Sequence, residues 1–545
     1  MFHPHWRDHA LEALRQPFDL VIVGGGITGC GIFFDAAQRG LRVLLVEQQD
    51  IASGTSSRSS KLVHGGLRYL KQLQFKVTRH SCHERDQQLT LSPHLAEPMR
   101  WIYPSYRGDR PSGWQVELGL WMYDRLTRGH HRHERVTPDE LRRELPHLSQ
   151  ENLDRALAYM DGRIDDARLT LGVAATGLAC GGHLLTRMVP EEGLRGPDGR
   201  LRGLALRDLM DDTVHRVEAS LVINATGTWA DLLREKMGIE GRRLRPSRGS
   251  HLIFDHDTLP LETALTIHSP DDRRPVFFIP HPEGVLVGTT DLFHEGSFDD
   301  PRPTREEVDY LLRTAAVAFP DRPPGDEDIR GAFAGVRPVI DDGAENPSAA
   351  SREEAIWFEE GLLSVAGGKL TTWRSTAEQV VDEARKYLPA ERVRRMAACA
   401  TQGTPLAGRC TLDLDQRLLT AHSDLSPPVA RGMARRLSAL AWNAVEGAQD
   451  SALDPVAPGL DLCAAEVRAH LRYGGVLHLE DLLLRRIRYG MWQPGVAREL
   501  VPRLRDLVCE ELGWNASRWD REVEAYHPAA EAWTLDGVQA TESPR

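Results

Sequence analysis

The stretch that decides the fold is FDLVIVGGGITGCGIFFDAAQRGLRVLLVE, residues 18–47. Its first six residues are mostly apolar, which is typical of a short parallel strand buried on both faces. Residues 27–39 then predict a helix that ends at Gly40, and residues 41–46 predict a second buried strand. A strand, a helix and a second strand in this order form a βαβ unit, so the sequence predicts an α/β protein.

Gly24, Gly26 and Gly29 follow the first predicted strand with the spacing G-x-G-x-x-G. The first glycine permits a tight turn, the second lets the backbone approach a pyrophosphate, and the third lets the helix pack close to the strand. Glu47 ends the second strand, where its carboxylate can accept hydrogen bonds from ribose hydroxyls. The pattern predicts a dinucleotide site and, taken alone, leaves NAD and FAD open.

The next block, SGTSSRSSKLVHGGLRYL at residues 53–70, favours FAD. It is rich in hydroxyls and glycine and directly follows the predicted ribose-binding strand. Such a segment can run beside a pyrophosphate and bring His64 and Arg68 to a flavin ring, whereas it has no role in an NAD-dependent dehydrogenase. Residues 224–227, NATG, end a later strand, and their small side chains allow close approach to a cofactor.

Composition excludes several classes of protein. The 545 residues carry 67 Lys and Arg against 79 Asp and Glu, a net charge of −12, so we expect no nucleic-acid partner. No apolar run reaches the ~18–20 residues of a spanning helix, and the first 17 residues show no secretory signal. Seven scattered cysteines without a C-x-x-C pair fit a reducing cytosol.

No cluster of His, Cys or carboxylates has metal-ligand spacing, so no metal site is predicted. We interpret the run at residues 130–133, HHRH, as a solvated loop. Residues 184–218 predict two extended pieces around a turn, and residues 251–300 predict an antiparallel sheet that forms a second, substrate-facing domain. After about residue 390 strand signals fade and amphipathic helices dominate, which predicts a helical C-terminal domain.

The motifs form an ordered set along the chain. They are GGGITGCG (24–31), TSSRSSKLVHGGLRYL (55–70), YMDGRIDDARL (159–169), NATGTW (224–229), GSH (249–251), GTTD (288–291), AGVRP (334–338) and GGKLTTWR (367–374). This set resembles the bacterial, aerobic, quinone-linked type of FAD-dependent glycerol-3-phosphate dehydrogenase. The resemblance covers residues 18–380 and extends to residues 464–491 in the C-terminal part.

The resemblance implies an architecture and an activity. A Rossmann-like FAD-binding domain (residues 18–250 and 336–388) would be interleaved with an antiparallel-sheet substrate or cap domain (251–335), and an α-helical domain (389–545) would follow. The enzyme would transfer a hydride from sn-glycerol 3-phosphate to non-covalent FAD, yield dihydroxyacetone phosphate and pass electrons to a membrane quinone. It would be a cytoplasmic, peripheral membrane homodimer. A soluble oxidase using oxygen, and a non-catalytic or tRNA-modifying flavin scaffold, stay open as alternatives.

The same resemblance implies which residues form the site. His64 and His251 are the candidate bases, and the resemblance does not decide which of them accepts the proton. The other candidate catalytic residues, which bind the substrate anion, are Arg68, Tyr69, Arg337, Arg352 and Lys369. The candidate FAD-binding residues are Gly24, Gly25, Gly26, Gly29, Glu47, Thr55, Ser56, Ser57, Ser60, Lys61, Leu62, Ala225, Thr226, Gly227, Gly335, Gly367, Gly368, Lys369, Leu370 and Thr371. Phe333 and Trp373 depart from the family pattern, which has Tyr at both positions, so any hydrogen bond from those hydroxyls is lost.

One predicted helix has features of a membrane-contact surface. Trp114, Leu118, Trp121 and Met122 share one helical face, and four arginines follow it at positions 125, 128, 132 and 135. Aromatic residues beside basic ones are typical of an interfacial helix that binds anionic lipid. An ordinary core-facing helix with a solvated basic end explains the same pattern.

Overall fold

The computed structural model describes residues 2–67, 74–127, 132–343 and 354–540. Its strands are β1 Phe18–Val23, β2 Val43–Glu47, β3 Leu62–Val63, β4 Ala96–Tyr106, β5 Glu134–Val136, β6 Leu153–Ile164, β7 His183–Thr186, β8 Met188–Arg195, β9 Leu201–Asp208, β10 Val214–Asn224, β11 Ser247–Phe254, β12 Ala264–His268, β13 Pro275–His281, β14 Gly284–Gly288, β15 Leu292–Phe293, β16 Ile329–Arg337, β17 Ala355–Glu359 and β18 Leu362–Ala366. Its α-helices are α1 Trp6–Ala13, α2 Ile27–Gln38, α3 Phe75–Leu91, α4 Gly113–Leu126, α5 Pro138–Glu144, α6 Asp166–Ala179, α7 Ala230–Lys236, α8 Arg305–Ala318, α9 Trp373–Ala384, α10 Ala390–Arg395, α11 Leu414–Ala421, α12 Pro427–Leu437, α13 Leu440–Val445, α14 Ala464–Tyr473, α15 Tyr489–Trp492, α16 Pro494–Leu512 and α17 Ala516–Glu531. Within the described residues, no helix combines the length and apolar character that crossing a membrane requires.

The first sheet has the strand order β17–β18–β10–β1–β2–β7. The central strand β1 is buried along its whole length and pairs in parallel with β10 on one side and β2 on the other. This confirms the βαβ unit predicted from residues 18–47, although β2 begins at Val43, two residues later than predicted. Because β2, β1, β10 and β18 run in the same direction, the loops that follow them meet at one edge of the sheet.

The second sheet has the order β15–β11–β14–β13–β12–β4–β6–β3, with β16 beside β11 and β5 beside β6. Its strand pairs are antiparallel except for β12 with β4, as the alternating pattern of residues 251–300 predicts. The sheet also takes strands from much earlier in the chain, at residues 62–63, 96–106 and 153–164. The domain boundaries drawn from the sequence stay a prediction.

The C-terminal part is helical, which together with the two sheets confirms the predicted fold class. Its later helices share an apolar core with the second sheet, in which Trp492 and Trp533 pack with Trp101 and Phe333. It also contacts the first sheet through buried ion pairs. Asp50, in the loop after β2, accepts two hydrogen bonds from Arg486, at 2.6 and 2.9 Å. The C-terminal helices therefore hold both sheets.

Helix α4 presents its apolar stripe to solvent. Trp114, Leu118 and Trp121 are 58%, 49% and 48% exposed, while Leu120 and Tyr123 on the opposite side are buried. The core-facing interpretation of these three residues is therefore wrong. The Arg125 guanidinium lies 4.5 Å from the centre of the Trp121 ring. The exposed stripe thus carries a cation at its C-terminal end.

Candidate active site

A cavity of about 1630 Å³ runs between the two sheets. It is lined by the loops after β1, β2, β10 and β18 on one side and by strands of the second sheet on the other. A pocket for one drug-sized ligand occupies ~300–1,000 Å³. The cavity therefore has room for an extended cofactor together with a small substrate.

The glycine loop forms the inner end of this cavity. Gly24 has φ +114°, and a Cβ there would lie 2.5 Å from the Ala225 carbonyl oxygen. A Cβ on Gly29 would lie 1.9 Å from the Gly24 carbonyl oxygen, so helix α2 packs against the turn. Gly26 precedes the first residue of α2 and lines the cavity. The N-terminus of α2 is thus placed to face phosphates.

Glu47 lies at the end of β2 and also lines the cavity. Its Oε2 accepts a hydrogen bond from the Gly25 amide at 2.6 Å, and its Oε1 accepts one from the Gln49 amide at 2.8 Å. Burial raises the pKa of Glu47, and the two amide donors oppose that shift. The two amides fix the orientation of the carboxylate at the wall of the cavity. The glycine cradle, the helix terminus and this acceptor together fit the predicted FAD.

The serine block runs from the first sheet to the second. The Ser56 hydroxyl accepts a hydrogen bond from the Ile27 amide at 2.9 Å, and the Thr55 hydroxyl donates to the Val336 carbonyl at 2.6 Å. These bonds tie the block to the start of α2 and to β16. Thr55, Ser56 and Ser60 line the cavity, and their contact with the cofactor stays a prediction.

A buried ion cluster supports this block from behind. The Lys61 ammonium lies 2.9 and 3.0 Å from the two Asp166 carboxylate oxygens, and the Ser59 hydroxyl donates to Asp166 at 2.7 Å. Arg488 of the C-terminal part donates to Asp166 at 2.8 Å and to the Ser57 carbonyl at 3.2 Å. Burial, followed by the charge of Arg488, lowers the pKa of Lys61 to about 8.

His251 lies between this block and the cavity. Its Nε2 is 2.9 Å from the Ser60 hydroxyl, and its ring stacks on Phe333 with centroids 4.9 Å apart. Burial lowers the pKa of His251 well below its usual value, and the positive charges of Arg337 and Lys61 act in the same direction. The imidazole is therefore neutral at neutral pH.

The other candidate residues come from the end of the serine block and from two further motifs. His64 lines the cavity, and its amide donates to the Thr371 hydroxyl at 3.2 Å. Arg337 Nη1 lies 3.1 Å from Asp291 Oδ1, and Nη2 donates to the Thr289 hydroxyl at 3.2 Å. Lys369 also lines the cavity. His64, His251, Arg337 and Lys369 are therefore brought to one space.

The remaining predicted residues divide into three sets. Those that line the cavity are Gly24, Gly26, Glu47, Thr55, Ser56, Ser60, Leu62, Ala225, Thr226, Gly227, Gly335, Gly367, Gly368, Leu370 and Thr371. Those that lie behind its wall are Gly25, Gly29, Ser57 and Lys61. Arg68, Tyr69, Arg352 and part of the loop at residues 130–133 lie outside the described residues.

Three residues at the site were missed from the sequence. Asp291 belongs to the GTTD motif, yet no role followed from that motif alone; it pairs with both Arg337 and Arg274. Asp166 belongs to the DDARL motif, and its partner Arg488 is more than 300 residues away. The two adjacent aspartates of the DDARL motif were the only sequence feature that could have indicated a buried charge cluster. No group of metal-ligating side chains occurs in the part of the chain that the structure describes, so no metal centre is assigned.

Comparison with known proteins identifies the class of protein. The family model of FAD-dependent oxidoreductases matches residues 19–374, and a model of the C-terminal domain of alpha-glycerophosphate oxidase matches residues 399–519. The fold and the dinucleotide cradle therefore belong to an FAD-dependent oxidoreductase.

Individual relatives narrow the class. The aerobic glycerol-3-phosphate dehydrogenase of Staphylococcus haemolyticus is 38% identical over 398 residues, 72% of each chain. The glycerol-3-phosphate dehydrogenase of Mycobacterium leprae is 34% identical over 98% of this chain and 92% of that one. The crystal structure of the Bacillus halodurans glycerol-3-phosphate dehydrogenase complexed with FAD has a TM-score of 0.79 and 28% identity, covering 99% of this chain and all of that one. The chain belongs to the FAD-dependent glycerol-3-phosphate dehydrogenases, which confirms the resemblance found in its motifs.

The cradle leads to a prediction about flavin binding. A Cβ on Gly26 meets only the Ser56 hydroxyl, at 3.3 Å, so Gly26→Val is compatible with the fold but adds a branched side chain where the pyrophosphate passes. We expect the purified variant to have the circular dichroism spectrum of a folded protein and to lack the visible absorption of bound flavin. Gly403→Val, at an exposed glycine with open space around it, is the control and should stay yellow. Normal flavin content in Gly26→Val would contradict the assigned cradle.

Proposed function

We propose that the protein oxidises sn-glycerol 3-phosphate to dihydroxyacetone phosphate and passes the electrons through FAD to a membrane quinone. The observation that carries this proposal is the convergence of two cations, Arg337 and Lys369, and two histidines, His64 and His251, on the cavity that holds the dinucleotide cradle. The names of the relatives support the substrate. When bound, FAD supplies the acceptor for the hydride that leaves C2.

The phosphate group of the substrate requires fixed positive charge. Arg337 is held in place by Asp291 and Thr289, and Asp291 is itself buried and paired with Arg274 at 3.3 Å. A guanidinium with a fixed direction can bind a phosphate through two hydrogen bonds and orient C2 for the reaction. Arg68, Tyr69 and Arg352 complete the anion-binding set in the resemblance and stay predictions.

Loss of hydride from C2 leaves a carbonyl only when the hydroxyl proton also departs, so a neutral base is required. His251 is a candidate because it is neutral and lines the cavity, with its Nε2 2.9 Å from the Ser60 hydroxyl. His64 meets the positional condition because it lines the same cavity. Both histidines stay candidates, and the rate of flavin reduction in variants of each one distinguishes them.

An anaerobic absorbance titration tests the proposed substrate. Glycerol 3-phosphate should bleach the visible flavin band, and glycerol should do so weakly. Losing one cation that binds a phosphate costs ~1.5–3 kcal/mol, so Arg337→Ala should lower kcat/KM for glycerol 3-phosphate about 10- to 150-fold and affect glycerol much less. Arg395→Ala, at an exposed arginine paired only with Glu391 among its described contacts, should leave both unchanged. Equal losses on both substrates would make Arg337 structural, and no bleaching at all would overturn the proposed substrate.

The two histidines lead to a separate prediction. Replacing the base by Gln removes the proton acceptor, so at least one of His64→Gln and His251→Gln should slow anaerobic flavin reduction at least ~100-fold while both retain FAD. The pKa of His251 is lowered from the ordinary histidine value of about 6.5. If His251 is the base, the wild-type rate of flavin reduction should therefore fall with decreasing pH only below that value. His281→Gln, at a buried histidine outside the cavity lining, is the control. Near wild-type rates in both His64→Gln and His251→Gln would make Lys369 the next candidate.

The quinone, the anionic lipid surface and the homodimer are implied by the resemblance. For the membrane surface, the exposed stripe of Trp114, Leu118 and Trp121 on α4 gives support, because such side chains are enriched where a helix lies in a lipid interface. The net charge of −12 repels anionic lipid, so attraction must come from local cations such as Arg125. The resemblance supports the proposal that the protein lies on the cytoplasmic face of the membrane.

Vesicle sedimentation tests the lipid contact. Burying an apolar side chain contributes ~1.5–3 kcal/mol, so the double variant Trp114→Ser, Leu118→Ser should weaken binding to anionic vesicles at least ~100-fold. Anaerobic flavin reduction by the substrate should not change, because neither side chain lines the cavity. Leu412→Ser, at an exposed leucine in the C-terminal part, is the control. Unchanged sedimentation of the double variant would exclude α4 as the lipid contact.

A soluble oxidase is the second candidate function. The match of residues 399–519 to the C-terminal domain of an alpha-glycerophosphate oxidase favours it. After anaerobic reduction, fast return of the oxidised flavin spectrum with a quinone analogue and slow return with oxygen would support the dehydrogenase. The reverse order would support the oxidase.

A further inference from the structure

The Asp291 carboxylate holds two arginines at the cavity wall, and only Arg337 has a place in the proposed function. Asp291 Oδ1 accepts a hydrogen bond from Arg337 Nη1 at 3.1 Å, and Asp291 Oδ2 lies 3.3 Å from Arg274 Nη2. Arg274 Nη1 also donates to the backbone carbonyl of Asp291 at 3.2 Å. All three residues line the cavity. Arg274 is therefore a second fixed cation beside the first.

The register of the second sheet explains why both arginines reach one carboxylate. β13 pairs with β14 in antiparallel register, and continuing this register past both strand ends places Arg274 opposite Asp291. Arg337 comes from the other side, at the end of β16. A Cβ on Gly249 of β11 would lie 2.2 Å from Arg337 Nη2, so the Arg337 side chain crosses β11 above this glycine. The two guanidiniums thus approach Asp291 from opposite sides.

Hydrogen bonds hold the turn that carries Arg274. This turn joins β12 to β13, and the Ser269 amide donates to the Arg274 carbonyl at 2.9 Å. The Arg274 amide donates to Asp272 Oδ1 at 3.0 Å, and the Tyr310 hydroxyl of α8 donates to the same oxygen at 2.8 Å. The backbone of Arg274 is thus fixed on both sides. A side chain on such a support loses little conformational entropy when it binds a ligand.

The charges at this part of the wall fit a phosphate dianion. Two guanidiniums share one carboxylate, which leaves one positive charge, and Lys369 on the same cavity adds a second. A phosphate monoester carries nearly two negative charges at neutral pH. Among the described residues, the Arg274 guanidinium makes hydrogen bonds and ion pairs only with Asp291, and the side chain is 29% exposed. Further N–H groups of Arg274 can therefore bind a ligand.

We propose that Arg274 is a further substrate-binding residue, whose guanidinium contacts the phosphate group of glycerol 3-phosphate together with Arg337. The inference rests on the proposed function and adds a residue that selects substrates with a phosphate. Asp291 is a positioning residue, because it acts through the two guanidiniums that it holds. A phosphate bound between two guanidiniums of fixed direction has one orientation, and this orientation directs C2 of the substrate.

Two substrates that differ in the phosphate group test this assignment in the holoenzyme. In Arg274→Ala, the second-order rate constant of anaerobic flavin reduction by glycerol 3-phosphate should fall at least ~10-fold, the effect of one lost charged hydrogen bond, while that for glycerol stays within ~2-fold of wild type. Arg274→Lys should lose less, because it keeps the charge without the planar fork. Arg313→Ala is the matched control and should change neither rate constant. Arg313 of α8 pairs with Asp271 in the same turn at 2.6 Å and does not line the cavity.

Binding of inorganic phosphate adds a readout independent of turnover. Calorimetric titration of the oxidised holoenzyme should give a phosphate dissociation constant at least ~10-fold higher in Arg274→Ala than in wild type. Arg274→Gln gives the same comparison if Arg274→Ala purifies without flavin. An unchanged phosphate dissociation constant, or equal losses of rate on glycerol 3-phosphate and glycerol, would overturn the role of Arg274 while the proposed function stands. No flavin reduction of the wild-type protein by glycerol 3-phosphate would overturn the proposed function itself.

Discussion

The cluster of Lys61, Asp166 and Arg488 joins the three parts of the molecule. Asp166 is the first residue of helix α6, which packs beside the first sheet. Lys61 directly precedes β3, the edge strand of the second sheet, and Arg488 belongs to the C-terminal part of the chain. Removing one member of a buried charge cluster leaves an uncompensated charge, which costs about 3–5 kcal/mol. The cluster therefore fixes the serine block, and through Ser60 it fixes His251.

The part of the fold that is local in sequence could be predicted. Residues 18–47 contain every signal of a βαβ unit, because the turn, the helix and both strands are formed by neighbouring residues. The second sheet is different, since β4 pairs with β6 across some fifty residues and with β12 across more than 150. Propensity and alternation describe a strand but do not specify a distant partner. Residues 96–106 and 153–164 could not be assigned to the second sheet for this reason.

The site shows the same division. Gly24, Gly26 and Glu47 follow from spacing within one βαβ unit, whereas Arg488 reaches Asp166 only because the C-terminal helices fold back over the serine block. The resemblance to a known family compensated for this at His251 and Arg337, whose motifs are far apart in the chain. It gave no information on Asp291 as the partner that orients Arg337, because a motif records residue identity without its contacts.

The contact between Ser57 and Arg488 also sets the order of assembly. The two residues are 431 positions apart, so during synthesis the βαβ unit emerges long before the arginine that holds the serine block. Domains fold from the N-terminus as the chain emerges, and the glycine cradle can form while the block beside it is still without its support. The wall of the cavity that the serine block forms therefore gains this support only after the last third of the chain has been synthesised and has folded.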